Sequence, residues 1–157
     1  MKKGFTLIEI LIVVAIISVL SSVVLIGLGP AQRVGRDARR IADLRQMQSG
    51  LALYFNKCGY YPGVAQSDPP PCDNFVVIST WTELVGALRG SNIGVNQVSS
   101  DPSSAAGRNY LYGVSSDGSG YVLGASLEDP NNQALVNDAD SLINGIDCED
   151  PIYCIEF

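Results

Sequence analysis

No histidine occurs among the 157 residues, and only 10 bases stand against 16 acids. The missing imidazole rules out a Ser-His-Asp triad, a Cys–His pair and histidine-ligated zinc. Only carboxylate or thiol chemistry remains for an enzyme, and no residue pattern here points to a catalytic cleft. The shortage of bases weakens a second class. A net charge of −6 and a pI near 4.4 argue against nucleic-acid contact, which needs a basic face. Residues 1–45 hold seven bases against Glu9, Asp37 and Asp43, a net of +4. Residues 46–157 hold three bases against thirteen acids, a net of −10. A basic start and an acidic remainder suggest two environments. The length suits one domain with a real core.

What is abundant is hydrophobicity near the N-terminus. From Ile10 to Gln32 the chain runs 23 residues without a charge. At about 1.5 Å per residue this run reaches about 34 Å as a helix, enough for a bilayer core of about 30 Å. Its many β-branched residues would suit a buried strand in water. A run this long reads instead as a membrane helix, because lipid makes the backbone satisfy its own hydrogen bonds. It is too long for a signal peptide, and no Ala-x-Ala pattern ends it. An ordinary anchor explains the length and a cytoplasmic Lys2-Lys3, but not Glu9. A carboxylate in such a segment costs about 2.5–3.5 kcal/mol at the helix centre, so it calls for a partner.

The segment Lys2-Lys3-Gly4-Phe5-Thr6-Leu7-Ile8-Glu9 resembles the cleavage and methylation signal of type IV prepilins and type II secretion pseudoprepilins. The resemblance is carried by the first third of the chain. It implies cleavage after Gly4 by a membrane aspartic peptidase and methylation of the new N-terminal Phe5. It also implies that Glu9 pairs with the N-terminal amine of a neighbouring subunit. Buried carboxylate and ammonium groups are costly alone and tolerable together, which fits that role.

Beyond the apolar run, Gly27, Gly29 and Pro30 weaken the helix. The resemblance implies a loosened stretch within one long helix; a kink or stop at the bilayer surface is the plainer alternative. A helical period resumes with Val34, Ala38, Ile41, Leu44, Met47, Leu51 and Phe55, which reads as a core-facing stripe. The basic cluster Arg33–Arg45 is read as an intersubunit contact, with anionic lipid as the alternative. The helix is expected to end near Cys58-Gly59, followed by a Tyr60–Gly63 turn and an irregular loop over Ala65–Asn74. Thr80-Trp81-Thr82-Glu83 has capping-box spacing and predicts a short helix at 81–89, with Trp81 as a core anchor. Asn109–Val114 and Tyr121–Leu127 flank a glycine-rich loop and predict a hairpin.

Cys58, Cys72, Cys148 and Cys154 all lie beyond the membrane segment, which fits an oxidising compartment. Four cysteines allow three pairings; the local set, Cys58–Cys72 and Cys148–Cys154, is preferred. Zinc is disfavoured because no Cys-x-x-Cys spacing occurs. The oxygen-rich tail, with Asp138, Asp140, Asp147 and Asp150, reads either as a solvated acidic loop or as a calcium site. Major pseudopilins, which the chain resembles, have a calcium-holding loop near the C-terminus.

The expected fold class is α+β: a pilin-like lollipop, with a helix of about 50 residues, roughly 75 Å long, packed on a small antiparallel β-sheet head. The expected parts are a leader at 1–4, a transmembrane and assembly half-helix at 5–29, an amphipathic half at 30–57, and a periplasmic or extracellular head at 58–157. The expected function is a structural filament subunit of a type IV pilus or type II secretion pseudopilus, not an enzyme. A membrane-anchored binding module is the alternative. Expected partners are identical or related pilin subunits, the prepilin peptidase and, before assembly, the inner membrane, with later residence in a pilus or pseudopilus.

Overall fold

A computed structural model describes residues 4–64, 72, 77–95 and 97–157, and only the backbone of 23–27. The leader residues Met1–Lys3 and nearly all of the expected loop over Ala65–Asn74 lie outside the described residues. The chain divides into two compact units, Met1–Gly35 and Arg36–Phe157. One 52-residue helix, α1 (Leu7–Cys58), belongs to both. It passes through Pro30, whose missing N–H removes one helical bond.

The first unit is the helix up to Gly35. Its apolar side chains from Leu7 to Leu20 are 51–82% exposed, so this stretch adds nothing to a core among the described residues.

The second unit combines the rest of α1 with a ten-residue helix, α2 (Trp81–Gly90), and a three-stranded antiparallel sheet. The strands are β1 (Leu111–Val114), β2 (Tyr121–Ser126) and, at the C-terminus, Ile152–Glu156. Between β2 and that last strand lies a two-stranded hairpin, β3 (Leu142–Ile143) and β4 (Ile146–Asp147), which makes the C-terminal strand β5. The sheet order is β1-β2-β5, with Val114 opposite Tyr121 and Gly124 opposite Cys154. The architecture is α+β, a long N-terminal helix followed by a small antiparallel sheet.

Local chemistry explains the small elements. α2 starts on a complete capping box: Glu83 N–H donates to the Thr80 hydroxyl, and Thr80 N–H donates to the Glu83 carboxylate. Asn144 and Gly145 turn the β3–β4 hairpin with φ of 48° and 81°, the positive pair that a tight two-residue turn needs. The hairpin lies close against β1. A Cβ at Gly113 would stand 2.5 Å from the Asn144 carbonyl oxygen, so that contact requires glycine.

The main core takes Leu44, Met47, Leu51 and Tyr54 from α1, Leu84 and Leu88 from α2, and Tyr112, Tyr121 and Leu123 from the sheet. The apolar stripe expected from the sequence is therefore only partly the buried face. Val34 and Ala38 are exposed, and Phe55 sits at the rim while Tyr54 goes inside. The face that goes inside is Asp37, Arg40, Leu44, Met47, Leu51, Tyr54 and Cys58, at alternating steps of three and four residues. A smaller cluster of Val122, Cys148 and Cys154 lies under Ile143, Ile146 and Ile152. Trp81 is partly buried against the main core, edge-on to Tyr110, and donates its indole N–H to the Ser99 carbonyl.

Leu51→Ala empties a site with no exposure and is expected to cost about 2–5 kcal/mol. Leu53→Ala, at a half-exposed neighbour, is expected to stay within about 0.5 kcal/mol. Denaturant unfolding of both variants in mild detergent measures the contrast.

Candidate functional site

Two regions carry chemistry, one in each compact unit. The first is the start of α1. Phe5 is 84% exposed and Gly4 is exposed beside it. Thr6 and Glu9 form a reciprocal cap on the first turn. Glu9 N–H donates to the Thr6 hydroxyl at 3.3 Å, and Thr6 N–H and Oγ1 both donate to Glu9 Oε2 at 2.8 Å. Glu9 is the one ionised side chain among exposed Ile, Leu and Val on the described part of this helix half up to Ser22. Among the described residues no helix is long and apolar enough to cross a membrane. The side chains of 23–27, in the middle of the 23-residue uncharged run, fall outside the description.

The second region is a buried ion cluster, and it corrects the reading of the basic helix surface. Arg40 has no exposure and uses all five of its N–H donors inside the chain. Nε and Nη2 form a fork on Asp101 at 2.7 and 3.1 Å. Nη1 reaches Asp37 at 2.7 Å and Glu128 at 3.0 Å, and Nη2 also reaches Ser103 at 3.0 Å. Asp37 accepts in addition the backbone N–H groups of Glu128 and Asp129. Arg36 adds a second fork, onto both oxygens of Glu128. Of the bases expected to face other subunits, Arg40 is thus buried and Arg36, with its side chain 34% exposed, is paired within the chain. Arg33, Arg39 and Arg45 remain exposed, and Arg39 lies 3.7 Å from Asp43.

Electrostatics follow from this geometry. The forked bonds from Arg36, aided by Arg40, hold the Glu128 carboxyl down at about 2. Burial pushes the Asp101 carboxyl upward, but the Arg40 hydrogen bonds outweigh it and leave it below the ordinary value. Burial likewise opposes the charge on Arg40, and bonds to Asp101, Glu128 and Asp37 keep it protonated. The sequence signal for this cluster was present: Asp37 and Arg40 continue the three-four spacing of Leu44 and Met47, polar residues on a core-facing line.

The tail acids divide. Asp138, Asp140 and Asp150 bring one carboxylate oxygen each within 4.8 Å of one another. Asp147 stands outside that group, at the end of β4, where its carboxylate accepts the Glu149 N–H. Asp138 Oδ2 accepts the Cys154 N–H of β5 at 2.8 Å, and its buried Oδ1 has no hydrogen-bond partner among the described residues. Burial raises the Asp138 pKa, reinforced by Asp140 and Asp150. The structure joins Cys58 to Cys72 and Cys148 to Cys154. The second bridge spans the turn that holds Asp150.

A groove of about 380 Å³ runs beside Met47, Gly50 and Leu53 of α1 and Val95 and Val98. Asp43 is its one ionisable lining residue among those described, and that carboxylate already accepts the Tyr110 hydroxyl at 2.7 Å. The groove offers no acid–base pair.

With this geometry in view, the comparison that decides is at the N-terminus. Residues 1–25 match the family described as the prokaryotic N-terminal methylation motif. The chain carries the signature of type IV pilins and pseudopilins. That signature marks a pilin-like or pseudopilin-like precursor, a structural subunit type. The match spans the capped start of α1, with Gly4, Phe5 and Glu9 inside it, and leaves the second unit uncovered. No curated protein and no solved structure matches the chain.

Arg40→Leu would leave Asp37 and Asp101 buried without their cation and is expected to cost about 3–5 kcal/mol. For the carboxylates, depressed folded-state pKa values mean stability that is present above the ordinary carboxyl range. It is lost as pH falls from 4.5 towards about 2 for Glu128. Denaturant unfolding across that interval is expected to show the decline, and Glu128→Gln should remove part of it. A flat profile would count against the cluster.

Proposed function

We propose that this chain is a structural filament subunit of a type IV pilus or a type II secretion pseudopilus. The observation that carries the reading is the methylation motif at residues 1–25, laid over an exposed apolar helix with one internal carboxylate. The prepilin peptidase cuts after Gly4 and methylates Phe5. Before assembly the apolar half, residues 5–29, holds the precursor in the inner membrane, with the amphipathic half (30–57) and the head (58–157) outside the cytoplasm.

Assembly then moves the helix from lipid to protein. Leaving lipid removes no apolar surface from water, so the exposed Leu, Ile and Val act there through close van der Waals packing between helices. An exposed apolar surface of this extent is itself a mark of an interaction face. Glu9 cannot enter such a surface alone at reasonable cost, and the N-terminal ammonium of Phe5 on the next subunit is its counter-ion. The pair therefore favours one axial register over its neighbours.

Asp138, Asp140 and Asp150 would hold calcium, a hard cation that takes carboxylate oxygens. The buried Asp138 Oδ1, without a partner among the described residues, fits that role. Bound calcium would neutralise three acids and tie the 138–140 segment to the turn at Asp150.

Intact mass of the purified subunit is expected to show a chain beginning at Phe5 with one added methyl group. Glu9→Ala is expected to be processed normally and to yield few or no filaments by electron microscopy. Normal filaments from that variant would refute the assembly role. Millimolar calcium is expected to raise the unfolding temperature of the subunit, and Asp138→Asn to abolish the increase.

A further inference from the structure

We infer that Thr6 is a positioning residue for the Glu9 pairing, through the division of labour between the two oxygens of the Glu9 carboxylate. The inference rests on the filament reading above. Both Thr6 donors, its N–H and its hydroxyl, end on the same atom, Glu9 Oε2, each at 2.8 Å. Oε1 accepts no hydrogen bond among the described residues. The carboxylate is thus tethered by one oxygen and has the other available.

Cleavage after Gly4 would leave this arrangement whole. The cut makes the Phe5 nitrogen an amine, whereas the Thr6 N–H belongs to the next peptide bond and stays in place. The Glu9 N–H also still donates to the Thr6 hydroxyl. The cap therefore exists on both sides of processing, and a neighbour's ammonium adds to it without displacing it.

Thr6 does two things for the pair. It satisfies orphan donors of the first helical turn, which an apolar interior leaves without water. It also confines a flexible glutamate side chain before the cation arrives, so less rotamer freedom is lost on pairing. A subunit lacking the hydroxyl keeps the charge but presents it from a looser side chain.

The test uses intact filaments of the full processed chain, each variant first checked by mass for a Phe5 N-terminus. A water-soluble carbodiimide joins a carboxylate to an amine in direct contact, so Glu9 linked to a neighbour's Phe5 gives a covalent dimer. Per filament subunit, Thr6→Val is expected to lower that dimer about fivefold, the effect of losing a typical N-cap. Thr6→Ser is expected to restore it. Tagged Glu9→Gln subunits, which keep the cap but lose the charge, are carried into filaments of wild-type subunits and should give no dimer through their own residue 9.

The outcomes separate the two ideas. Wild-type dimer yield from Thr6→Val, with none through residue 9 of the tagged Glu9→Gln subunits, overturns the role of Thr6 and leaves the filament reading standing. A tagged Glu9→Gln subunit still linked to a neighbour's Phe5 overturns the pairing itself. Where Thr6→Val gives too few filaments to crosslink, filament yield is the readout, and failure of Thr6→Ser to rescue it overturns the inference.

Discussion

Arg40 is the residue on which the second compact unit depends. A guanidinium with no exposure is tolerable only when every N–H finds an acceptor, and here all five do. Its acceptors come from three places in the chain: Asp37 one turn earlier on α1, Asp101 and Ser103 before β1, and Glu128 just after β2. Satisfying one side chain therefore fixes where two loops meet the helix. Below it along α1, Leu44, Met47 and Leu51 need only fill space. The cluster gives that packing a single solution, because a shifted loop would strand a buried charge.

The first unit presents the opposite situation. There the helix makes its own backbone bonds and caps its own first turn, yet its described side chains lie exposed. Its apolar surface and its carboxylate are both unfinished business for one chain in water. Under the proposed filament role, lipid would cover the first and other subunits would satisfy both. Stability in the second unit comes from within the molecule, whereas the first unit is built for surroundings. The charge asymmetry reads differently in this light. Part of the basic collar, Arg36 and Arg40, is consumed by the chain's own acids, while Arg33, Arg39 and Arg45 stay exposed.

Much of the architecture was legible beforehand. The 52-residue helix, the short helix after Thr80-Trp81-Thr82-Glu83 and the strands on either side of the Ser115–Gly120 loop all follow from period, capping chemistry and turn residues. Strand ends moved by a residue or two, since ladder pairing with β2 and β5, not composition, decides where a strand stops. The β3–β4 hairpin was not anticipated, although Asn144-Gly145 is a strong turn signal; two-residue strands carry too little periodicity to be seen. The buried face of α1 was misplaced at its start because only apolar residues were followed, which passed over Asp37 and Arg40, and at its end because Phe55 was taken in place of its neighbour Tyr54.

The N-terminal motif, the long helix and the apolar surface were determined by the sequence alone, because each is local: a spacing, a propensity, a run of side chains. Which acids meet which bases was decided only by the tertiary structure. Arg40 lies 61 residues from Asp101 and 88 from Glu128, and no period or spacing links positions so far apart. The same holds for the tail, where three aspartates converge and Asp147, equally acidic and close in sequence, is turned to the Glu149 backbone. Charge is written in the residues; its partner is settled only when the chain closes on itself.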